Sequence, residues 1–476
     1  MVKSPLEKCN IMVKSPLEKC KFKYSVVDIQ MMLRRKITDQ LIKWKNSSKK
    51  KALLVRGARQ VGKTHSISDF GKKNYSSYVY INFEETPSYT DIFSGDRDVD
   101  TIIRKMSAHF PRVKFIPGDT LIFLDEIQNC PNARTSFKFF TIDGRYDIIG
   151  SGSLMGVRYK EVSSYPVGYE DSIDMSSLDF EEFLWAMDVK EDIIDIVRKD
   201  LAEKRPTEGS FLNMFNEYFR WYMIVGGMPE TIMTFKETNH FGNVLNVQKN
   251  IIKLYLDDIA KYAPVHEKNQ IIASFYSIPS HLARSSKRFI FAEVEGKEGS
   301  RYDTYGNSLL WLKEAGMIRL CYNLHEPTLP LTSNRKNNSF KVFMQDTGLL
   351  TAMMEEGTAA AILNKDLAIN EGAVMENIVA DMLTKEGYDL FYFGKNGTLE
   401  IDFVLNLNGV ATAIEVKSGN NKQSKSLNSL MSEKYKVKRG IKLQNNNTFV
   451  DDKGVEHYPI FATAFMRSMN EWRHDP

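Results

Sequence analysis

Residues 53–64, LLVRGARQVGKT, constrain the fold more than any other stretch of the chain. Gly57 is followed by four residues and then by Gly62, Lys63 and Thr64, with a short apolar run before the loop and a helical pattern after it. Glycines permit a tight loop whose backbone N–H groups point inward, and the next helix adds the positive end of its dipole. The pattern predicts a phosphate-binding loop between a strand and a helix. The alternative is a chance glycine-rich turn before a helix.

The ligands expected at this loop are ATP and Mg²⁺. Lys63 would reach the terminal phosphates, and the Thr64 hydroxyl would ligate the magnesium ion. The loop residues assigned to ATP binding are Gly57, Ala58, Arg59, Gln60, Val61, Gly62, Lys63 and Thr64.

Residues 120–128, TLIFLDEIQ, carry a second signal, an apolar run that ends in Asp125 and Glu126. A buried strand would bring Asp125 to the magnesium ion and the bound ATP, while Glu126 polarises the water that attacks the γ-phosphate. The alternative is a buried strand that merely ends in a charged turn. Together with the loop, this acidic pair extends the prediction from ATP binding to hydrolysis, with Lys63 and Glu126 as catalytic residues.

Two further strands are expected in the same parallel sheet. Residues 78–83, YVYINF, have the composition of a strand, and residues 146–149 form another, followed by Gly and Ser residues at 150–153. Because ligands of open α/β sheets lie at the carboxyl ends of strands, Ser151 is the first candidate to sense the γ-phosphate and Ser153 the second. A flexible Gly/Ser turn is the alternative.

Length and composition set broad limits. With 476 residues the chain is expected to form about three domains, and its 64 basic and 60 acidic residues give a net charge of +4 that does not by itself indicate a nucleic-acid partner. The four cysteines, Cys9, Cys20, Cys130 and Cys321, have neither zinc-site spacing nor a dense disulfide pattern, and no long apolar run occurs. These features predict a cytoplasmic protein without a membrane span.

The regions flanking the nucleotide motifs are also interpretable. The nonapeptide MVKSPLEKC occurs at residues 1–9 and again at 12–20, so residues 1–24 are expected to be disordered. Residues 29–44 have the pattern of an amphipathic helix, and residues 178–264 carry long apolar side chains at helical spacing, as in a helical lid and linker. There Asp257 and Asp258 could bind a metal ion or lie on a solvated turn of helix.

Residues 265–350 have the pattern of a winged helix. Helices are expected at 270–282 and 303–315, then strands at 317–324 and 340–344 with a basic loop between them at 333–338. Such a module can contact DNA or dock a protein partner. The residues expected to contact DNA phosphates are Arg301, Lys313, Arg335, Lys336 and Lys341.

The C-terminal region holds the second group of chemically active residues. A helix at 372–386 carries Glu376, and strands are expected at 390–393, 399–407 and 410–417, with a hairpin turn at Asn408 and Gly409. Glu415 and Lys417 lie two residues apart and therefore on one face of their strand. The alternative to a catalytic site is a small mixed sheet with exposed ion pairs.

This combination of an Asp, a Glu and a Lys with a helical Glu resembles the metal-dependent nuclease core of the PD-(D/E)xK superfamily. The resemblance implies that Glu376, Asp402 and Glu415 bind Mg²⁺, with Glu400 as an alternative ligand. It also implies that Lys417 stabilises a hydroxide or the developing phosphate charge.

Most of the chain is similar to a known family. The segments that carry the similarity are GARQVGKT, LIFLDEIQ, IIGSGSL, SLDFEEFLWA and GGMPE. They resemble prokaryotic AAA-type P-loop ATPases with an uncharacterised C-terminal region that contains a restriction-endonuclease-like domain, over about residues 25–470. Tyr169 departs from the basic residue of many relatives, and Arg134, Arg145 and Arg158 are the candidate replacements.

The resemblance implies an α/β fold with an AAA-type parallel-sheet ATPase core, a helical and winged-helix middle and a nuclease-like α/β tail. The expected divisions are 1–24, 25–177, 178–264, 265–350 and 351–476. The leading hypothesis is an ATPase that couples nucleotide state to DNA engagement, with a Mg²⁺-dependent nuclease tail and a homo-oligomeric assembly. The alternative is a signalling or scaffold ATPase with a protein-binding winged helix and an inactive tail. A small-molecule kinase is disfavoured, because Asp125 and Glu126 suit hydrolysis better.

Overall fold

The computed structural model describes residues 33–153, 168–294, 302–364, 371–395, 399–417, 425–432, 435 and 437–471. The expectation of disorder for residues 1–24 and the candidates Arg158 and Arg301 lie outside the described residues. Residues from Arg34 onward belong to one structural unit.

The N-terminal part of this unit alternates strands with helices. Its elements are α1 (Ile37–Lys45), β1 (Ala52–Gly57), α2 (Lys63–Asn74), β2 (Ser77–Asn82), α3 (Val99–His109), β3 (Thr120–Asp125), α4 (Pro131–Asp143), β4 (Asp147–Ser153) and β5 (Glu170–Asp174). The five strands form a parallel sheet in the order β2-β3-β4-β1-β5, with apolar clusters packed on its two faces. The predicted α/β class and parallel core are confirmed. The loops after β1 and β3 therefore open at one edge of the sheet, with only β4 between the two strands.

Two local predictions in this part are wrong. The helix expected from residue 29 begins at Ile37, and the described residues before it are not helical. There the backbone N–H of Lys36 donates to Glu182 at 2.6 Å and its ammonium group donates to Asp179 at 2.6 Å, so both groups bond to residues distant in the chain. Residues 150–153 continue strand β4, through pairs such as Ser151 with Val55, and do not form a turn.

Five helices follow, as expected for residues 178–264. They are α5 (Phe180–Ala186), α6 (Glu191–Ala202), α7 (Gly209–Val225), α8 (Pro229–Thr238) and α9 (Phe241–Tyr262). A capping box of Asp179 and Glu182 begins α5, since each side chain accepts a hydrogen bond from the other residue's backbone N–H. Phe215, Phe219 and Tyr222 recur on one side of α7 and are buried, so the helical spacing there marks a core.

The next elements are α10 (Lys268–Tyr276), α11 (Ile278–Leu282), α12 (Tyr302–Glu314), β6 (Ile318–Leu324) and β7 (Arg335–Met344). The single helix expected at 270–282 is divided at Ser277, where Pro279 lies in the first turn of a new helix. The basic segment 333–338, expected as a loop, enters strand β7 at Arg335, which pairs with Leu324.

The C-terminal part contains two mixed sheets. Its elements are α13 (Thr347–Met353), α14 (Thr358–Asn364), α15 (Glu371–Lys385), β8 (Phe391–Lys395), β9 (Leu399–Ile401), β10 (Phe403–Leu407), β11 (Val410–Lys417), α16 (Lys425–Leu430), β12 (Arg439–Gln444), β13 (Phe449–Val450), β14 (Glu456–Pro459) and α17 (Met466–Glu471). One sheet has the order β7-β6-β8-β9 and the other β10-β11-β12-β14-β13. Strands from both sides of the division expected at residue 350 thus share a sheet.

Asp402 lies where these two sheets meet. The single strand expected at 399–407 is wrong, because β9 pairs with β8 in one sheet and β10 pairs with β11 in the other. The chain bends at Asp402, between the two strands. The expected tight turn after β10 is present, since Asn408 and Gly409 both have positive φ, 52° and 79°.

Candidate functional site

The loop between β1 and α2 has the conformation that the glycine spacing predicts. Gly62 lies at φ 94°, a left-handed conformation that glycine adopts without strain, and Gln60 lies at φ 62°. At Gly57 a Cβ atom would lie 2.3 Å from the carbonyl oxygen of Met175, so only glycine fits there. Arg35, which the sequence pattern did not single out, supports the loop by donating to the carbonyl oxygen of Val61 at 2.7 Å.

Lys63 lies at the centre of this loop. Its side chain is buried, and its ammonium group donates to the carbonyl oxygens of Gly57 at 3.0 Å and Ala58 at 2.8 Å. Burial lowers the pKa of Lys63, although the carboxylates of Glu126 and Asp125 act in the opposite direction. The loop therefore encloses a positive charge at the position where the motif requires one.

Asp125 receives four hydrogen bonds at the end of β3. Its Oδ2 atom accepts from the Thr64 hydroxyl at 2.7 Å and from the Tyr80 hydroxyl at 3.2 Å. Its Oδ1 atom accepts from the backbone N–H of Glu126 at 3.0 Å and from the hydroxyl of Ser151. The carboxylate is thus held in one orientation. The pair of Thr64 and Asp125 oxygens fits a Mg²⁺ ion, which prefers oxygen ligands and retains several of its waters.

Glu126 follows in a left-handed backbone conformation with φ 50°. Burial, and then the neighbouring charge of Asp125, raise the pKa of Glu126. The amide of Gln128 donates to Glu126, while the Oε1 atom of Gln128 is buried without a hydrogen-bond partner among the described residues. Gln128 is a residue whose contact the sequence pattern did not predict.

The serine and arginine candidates have other roles. Ser151 is fully buried and donates to Asp125, so it orients that carboxylate and is not exposed to a phosphate. Ser153 is the last residue of β4. Arg134 pairs with Glu170 at the first residue of β5, with nitrogen–oxygen distances of 2.8 and 3.0 Å, and Arg145 pairs with Asp143 before β4. Both arginines are thus paired with carboxylates of the same chain, and their role as nucleotide contacts stays a prediction.

Helix α9 contributes an acidic side chain at the loop. Asp258 pairs with Arg59 of the loop at 3.2 Å, and Arg59 also lies 3.8 Å from Glu84, which pairs with Lys261 of the same helix at 3.3 Å. Burial raises the pKa of Asp258. Neither of the two roles expected at this position, a metal ligand or a solvated turn, describes Asp258.

In the C-terminal part, lysines neutralise the carboxylates expected to bind a metal ion. Glu376 accepts from Lys287 at 2.5 Å and from Lys341 at 3.2 Å. Lys341 also pairs with Glu400 at 2.7 Å and lies 4.0 Å from Asp402. Burial disfavours the charged form of Lys341, but Glu376 and the neighbouring carboxylates outweigh it, so the pKa of Lys341 lies well above its ordinary value.

Glu415 and Lys417 lie beside this group of paired carboxylates and lysines. Lys417 pairs with Glu415 at 3.0 Å, and the Oε2 atom of Glu415 is buried without a hydrogen-bond partner in the described part of the chain. Burial, and then the charge of Glu376, raise the pKa of Asp402 to about 7, and its Oδ2 atom accepts from the backbone N–H of Val416 at 2.8 Å. No group of three or more His, Cys, Asp and Glu side chains could hold a metal ion within the described residues. The expected shell of Glu376, Asp402 and Glu415 therefore does not fit Mg²⁺ in this structure.

The basic residues expected at DNA differ in exposure. Lys313 and Arg335 are exposed and Lys336 is half-buried. Lys341 is 1% exposed at its side chain and occupied by Glu376 and Glu400, so its prediction as a DNA contact is wrong. Cys130 and Cys321 are both free and buried. No helix within the described ranges is long and apolar enough to cross a membrane.

Comparison with protein families gives three matches. Residues 49–184 match an AAA domain, residues 216–360 match a domain of unknown function (DUF8612) and residues 371–462 match another (DUF4143). The first match agrees with the geometry of the loop and of Asp125, so the chain contains an AAA-type P-loop domain. The third match assigns no activity to the tail. A comparison with curated protein sequences finds no match.

Among solved structures, the chain is similar to the Walker-type ATPase PABY2304 of Pyrococcus abyssi, with 14% identity, coverage of 69% of this chain and 97% of that one, and a TM-score of 0.41. It is also similar to the Orc1 protein of Aeropyrum pernix in complex with DNA, with 10% identity, coverage of 69% of this chain and 90% of that one, and a TM-score of 0.27. A third similar structure is AMPPCP-bound DnaA from Aquifex aeolicus, with 15% identity, coverage of 62% of this chain and 92% of that one, and a TM-score of 0.27. These scores are low, and nothing about the activity of this chain follows from them.

Proposed function

We propose that this chain hydrolyses ATP at the loop between β1 and α2 and couples the nucleotide state to nucleic-acid engagement. The observation that supports hydrolysis is the convergence of Lys63, Thr64, Asp125 and Glu126 at one edge of the sheet, with Thr64 and Asp125 bonded at 2.7 Å. A loop that only bound nucleotide would not need an acidic residue held beside the magnesium ligands.

Each residue has a distinct role in this proposal. The N–H groups of the loop and the ammonium group of Lys63 bind the phosphates, for which Lys63 exchanges its carbonyl contacts. Thr64 and Asp125 would hold Mg²⁺, which supplies charge neutralisation of the phosphates. Glu126 in its ionised form orients and polarises the attacking water. Tyr80 and Ser151 keep the Asp125 carboxylate in position.

Helix α9 is the proposed route from the nucleotide to the basic region. At the loop, Asp258 pairs with Arg59; one turn earlier in the same helix, the Tyr255 hydroxyl accepts from Gln345 at 2.6 Å, at the end of β7. Triphosphate next to Arg59 competes with Asp258 for this cation. A shift of α9 would then reach β7, on which Arg335 lies.

The test of hydrolysis compares Glu126→Gln with Lys63→Ala. We expect Glu126→Gln to retain ATP binding and lose turnover by about a hundredfold or more, because it removes a group that acts in the chemical step. Lys63→Ala is expected to lose ATP binding itself. Calorimetric titration with ATP and phosphate release measure the two effects. An unaltered chain that neither binds ATP nor releases phosphate would refute the proposal.

A second candidate function is a signalling or scaffold ATPase whose nuclease-like tail is inert. The observation that favours it is the ion pairing of Glu376 with Lys287 and Lys341, since these ammonium groups take the place that a metal ion would need. The DNA-engaging and scaffold functions differ in whether DNA binds at all.

A plasmid assay separates the two. We expect no Mg²⁺- or Mn²⁺-dependent cleavage by the unaltered chain above that of Lys417→Ala, because lysines neutralise the carboxylates. Cleavage that chelation and Lys417→Ala both abolish would show instead that the tail is an active nuclease. In the same samples, salt-sensitive DNA binding that Arg335→Ala weakens would support DNA engagement, and its absence would support the scaffold.

A further inference from the structure

A cavity of about 570 Å³ lies where the ATPase core, strand β6 and the α15–β8 connection meet. The first two residues of the phosphate loop, Gly57 and Ala58, line one side, and Arg319 and Tyr322 of β6 line another. Lys385 and Tyr388, from the end of α15 and the following connection, line a third. Cavities of this size accommodate a small organic ligand.

Arg319 is the notable side chain in this cavity. It is half-buried, and within the part of the chain that the structure describes its guanidinium makes no hydrogen bond or ion pair. Burial lowers its pKa, and Asp381 and Asp174 are the carboxylates whose charges act on it most strongly in the opposite direction. A cation withdrawn from water without a partner is unfavourable, which makes this position receptive to an anion.

Both of these nearby carboxylates have other cations as direct partners. Asp174 accepts two hydrogen bonds from Arg56, at 2.8 and 2.9 Å, and Asp381 pairs with Lys385 at 2.9 Å. Lys385 is further held by the Tyr222 hydroxyl at 3.0 Å and by the carbonyl oxygen of Leu178 at 3.1 Å. Unlike Lys385, Arg319 therefore has its donors available for a ligand.

An aromatic ring also lines this cavity. Tyr322 lines the same cavity, and the Lys313 ammonium and the Arg335 guanidinium lie 5.6 and 5.1 Å from the centre of its ring. Guanidinium donors bind phosphate well, and an aromatic ring provides a surface on which a base stacks. Together these side chains match the two halves of a nucleoside phosphate.

We propose that this cavity is a second binding site, for a nucleoside phosphate whose phosphate pairs with Arg319 and whose base lies against Tyr322. It is separate from the ATP site, because Lys63, Thr64 and Asp125 are not among its lining residues. The site touches Gly57 and Ala58, whose carbonyl oxygens accept from Lys63. Its occupant would thus lie directly against the phosphate loop. The source of the ligand is either a free nucleotide or the terminal nucleotide of a single strand.

The test uses the full chain carrying Lys63→Ala, so that the phosphate loop does not bind the probes. AMP, inorganic phosphate and a 5′-phosphorylated oligothymidylate are titrated separately by calorimetry. We expect AMP to bind, phosphate to bind more weakly, and Arg319→Gln to weaken AMP binding about tenfold or more, as for loss of a charge-assisted contact. Arg145→Gln, at an arginine that does not line the cavity, is the matched control and should bind AMP unchanged. Tighter binding of the oligothymidylate than of AMP identifies the strand end as the source, and the reverse identifies the free nucleotide.

Thermal unfolding without probe separates a ligand contact from a structural role. Because Arg319 makes no hydrogen bond or ion pair within the described residues, Arg319→Gln should unfold at nearly the same temperature as the parent, while losing the stabilisation that AMP confers. Tyr322→Leu should weaken AMP more than inorganic phosphate. The proposal is refuted if neither AMP nor the oligothymidylate binds the parent, if Arg319→Gln binds them equally, or if inorganic phosphate binds as tightly as AMP. ATP turnover is measured separately, in chains that retain Lys63. Refutation of the second binding site is therefore distinguishable from refutation of the proposed ATPase activity.

Discussion

Gly57 shows how a single residue sets the position of the phosphate loop. Its Cα packs against the backbone of Met175, just after β5, and the backbone N–H of Met175 donates to the carbonyl oxygen of Arg56 at 2.7 Å. The start of the loop is therefore tied to the neighbouring strand's end. A side chain at Gly57 would force these two backbone segments apart.

We expect Gly57→Ala to lower the free energy of unfolding by about 1–3 kcal/mol, the usual cost of overpacking, and to weaken ATP binding. The reason is that a Cβ would lie 2.3 Å from the carbonyl oxygen of Met175, a backbone atom that cannot rotate away. Denaturant unfolding and ATP titration measure the two effects. Gly209→Ala is the control, because a Cβ there meets no atom within 4 Å at the start of α7, and it should leave both quantities nearly unchanged. Equal behaviour of the two variants would contradict the packing argument.

At this scale the sequence predicted the residues that act within one local pattern. Lys63, Thr64 and Asp125 come together as expected, since the carboxyl ends of β1 and β3 share an edge. Asp258 was not assigned to the loop, because its partner Arg59 is distant in the chain and a pair of acids on a helix has no specific pattern. Lys341 was wrongly predicted as a DNA contact for the same reason. The prediction rested on its basic side chain, whereas its partners are carboxylates from distant segments, against which it is buried.

At the scale of elements, helix α9 joins the nucleotide loop to the second half of the chain. Tyr255, buried in the core, and Asp258, at the loop, lie three positions apart and therefore on neighbouring parts of one helical face. The preceding residue, Asp257, is exposed. Adjacent aspartates on this helix consequently differ in role, which provides a matched comparison.

We expect Asp258→Asn to tighten ATP binding several-fold, on the order of 1 kcal/mol. It removes a negative charge near the triphosphate site and releases Arg59 for the phosphates. Asp257→Asn removes the same charge at an exposed position, where solvent screens it, and should leave the affinity unchanged. Titrations of both variants with ATP at low and moderate salt make the comparison. Equal tightening in both, or weaker binding in Asp258→Asn, would contradict a specific contact between α9 and the loop.

Strand boundaries could be predicted for a strand that lies within one sheet, but not where the chain passes from one sheet to another. The alternation in 410–417 gave β11 with its bounds, because the strand lies within one sheet. Residues 399–407 also alternate, yet the chain changes sheets at Asp402. Period-two geometry does not encode which neighbour a strand has. The change of sheet also determines the surroundings of Asp402. It places this residue within reach of Lys341, which lies on a strand of the preceding region.

At the scale of the whole molecule, the tail is packed into the helical region by polar and apolar contacts. Lys204, after α6, pairs with Glu456 of β14 at 2.6 Å. The side chain of Asn447 accepts from the backbone N–H of Thr207 at 2.9 Å and donates to its carbonyl oxygen at 2.7 Å. Divisions drawn from sequence therefore describe segments of similarity, whereas the contacts join these segments. A nucleotide-dependent movement of the helices would reach the tail through them.

Phe461 is the apolar centre of this contact. Its ring is fully buried, with its centre 5.3 Å from that of Phe215 in α7 and 6.4 Å from that of Phe180 in α5. Since these helices follow the ATPase core directly, loosening Phe461 should weaken the nucleotide-binding part as well as the tail. A large-to-small change at such a site costs about 3–5 kcal/mol.

We expect Phe461→Ala to lower the urea midpoint for loss of bound fluorescent ATP and the midpoint for loss of far-ultraviolet circular dichroism together. Truncation at a shared interface removes stability from both sides, whereas truncation within an independent tail would affect the tail alone. Phe449→Ala is the control: Phe449 lies on the short edge strand β13 and is 39% exposed, so its truncation should shift either midpoint only slightly. If Phe461→Ala left the ATP midpoint in place and moved only the dichroism midpoint, the tail would unfold independently of the ATPase core, and contacts such as Lys204 with Glu456 would contribute little to coupling.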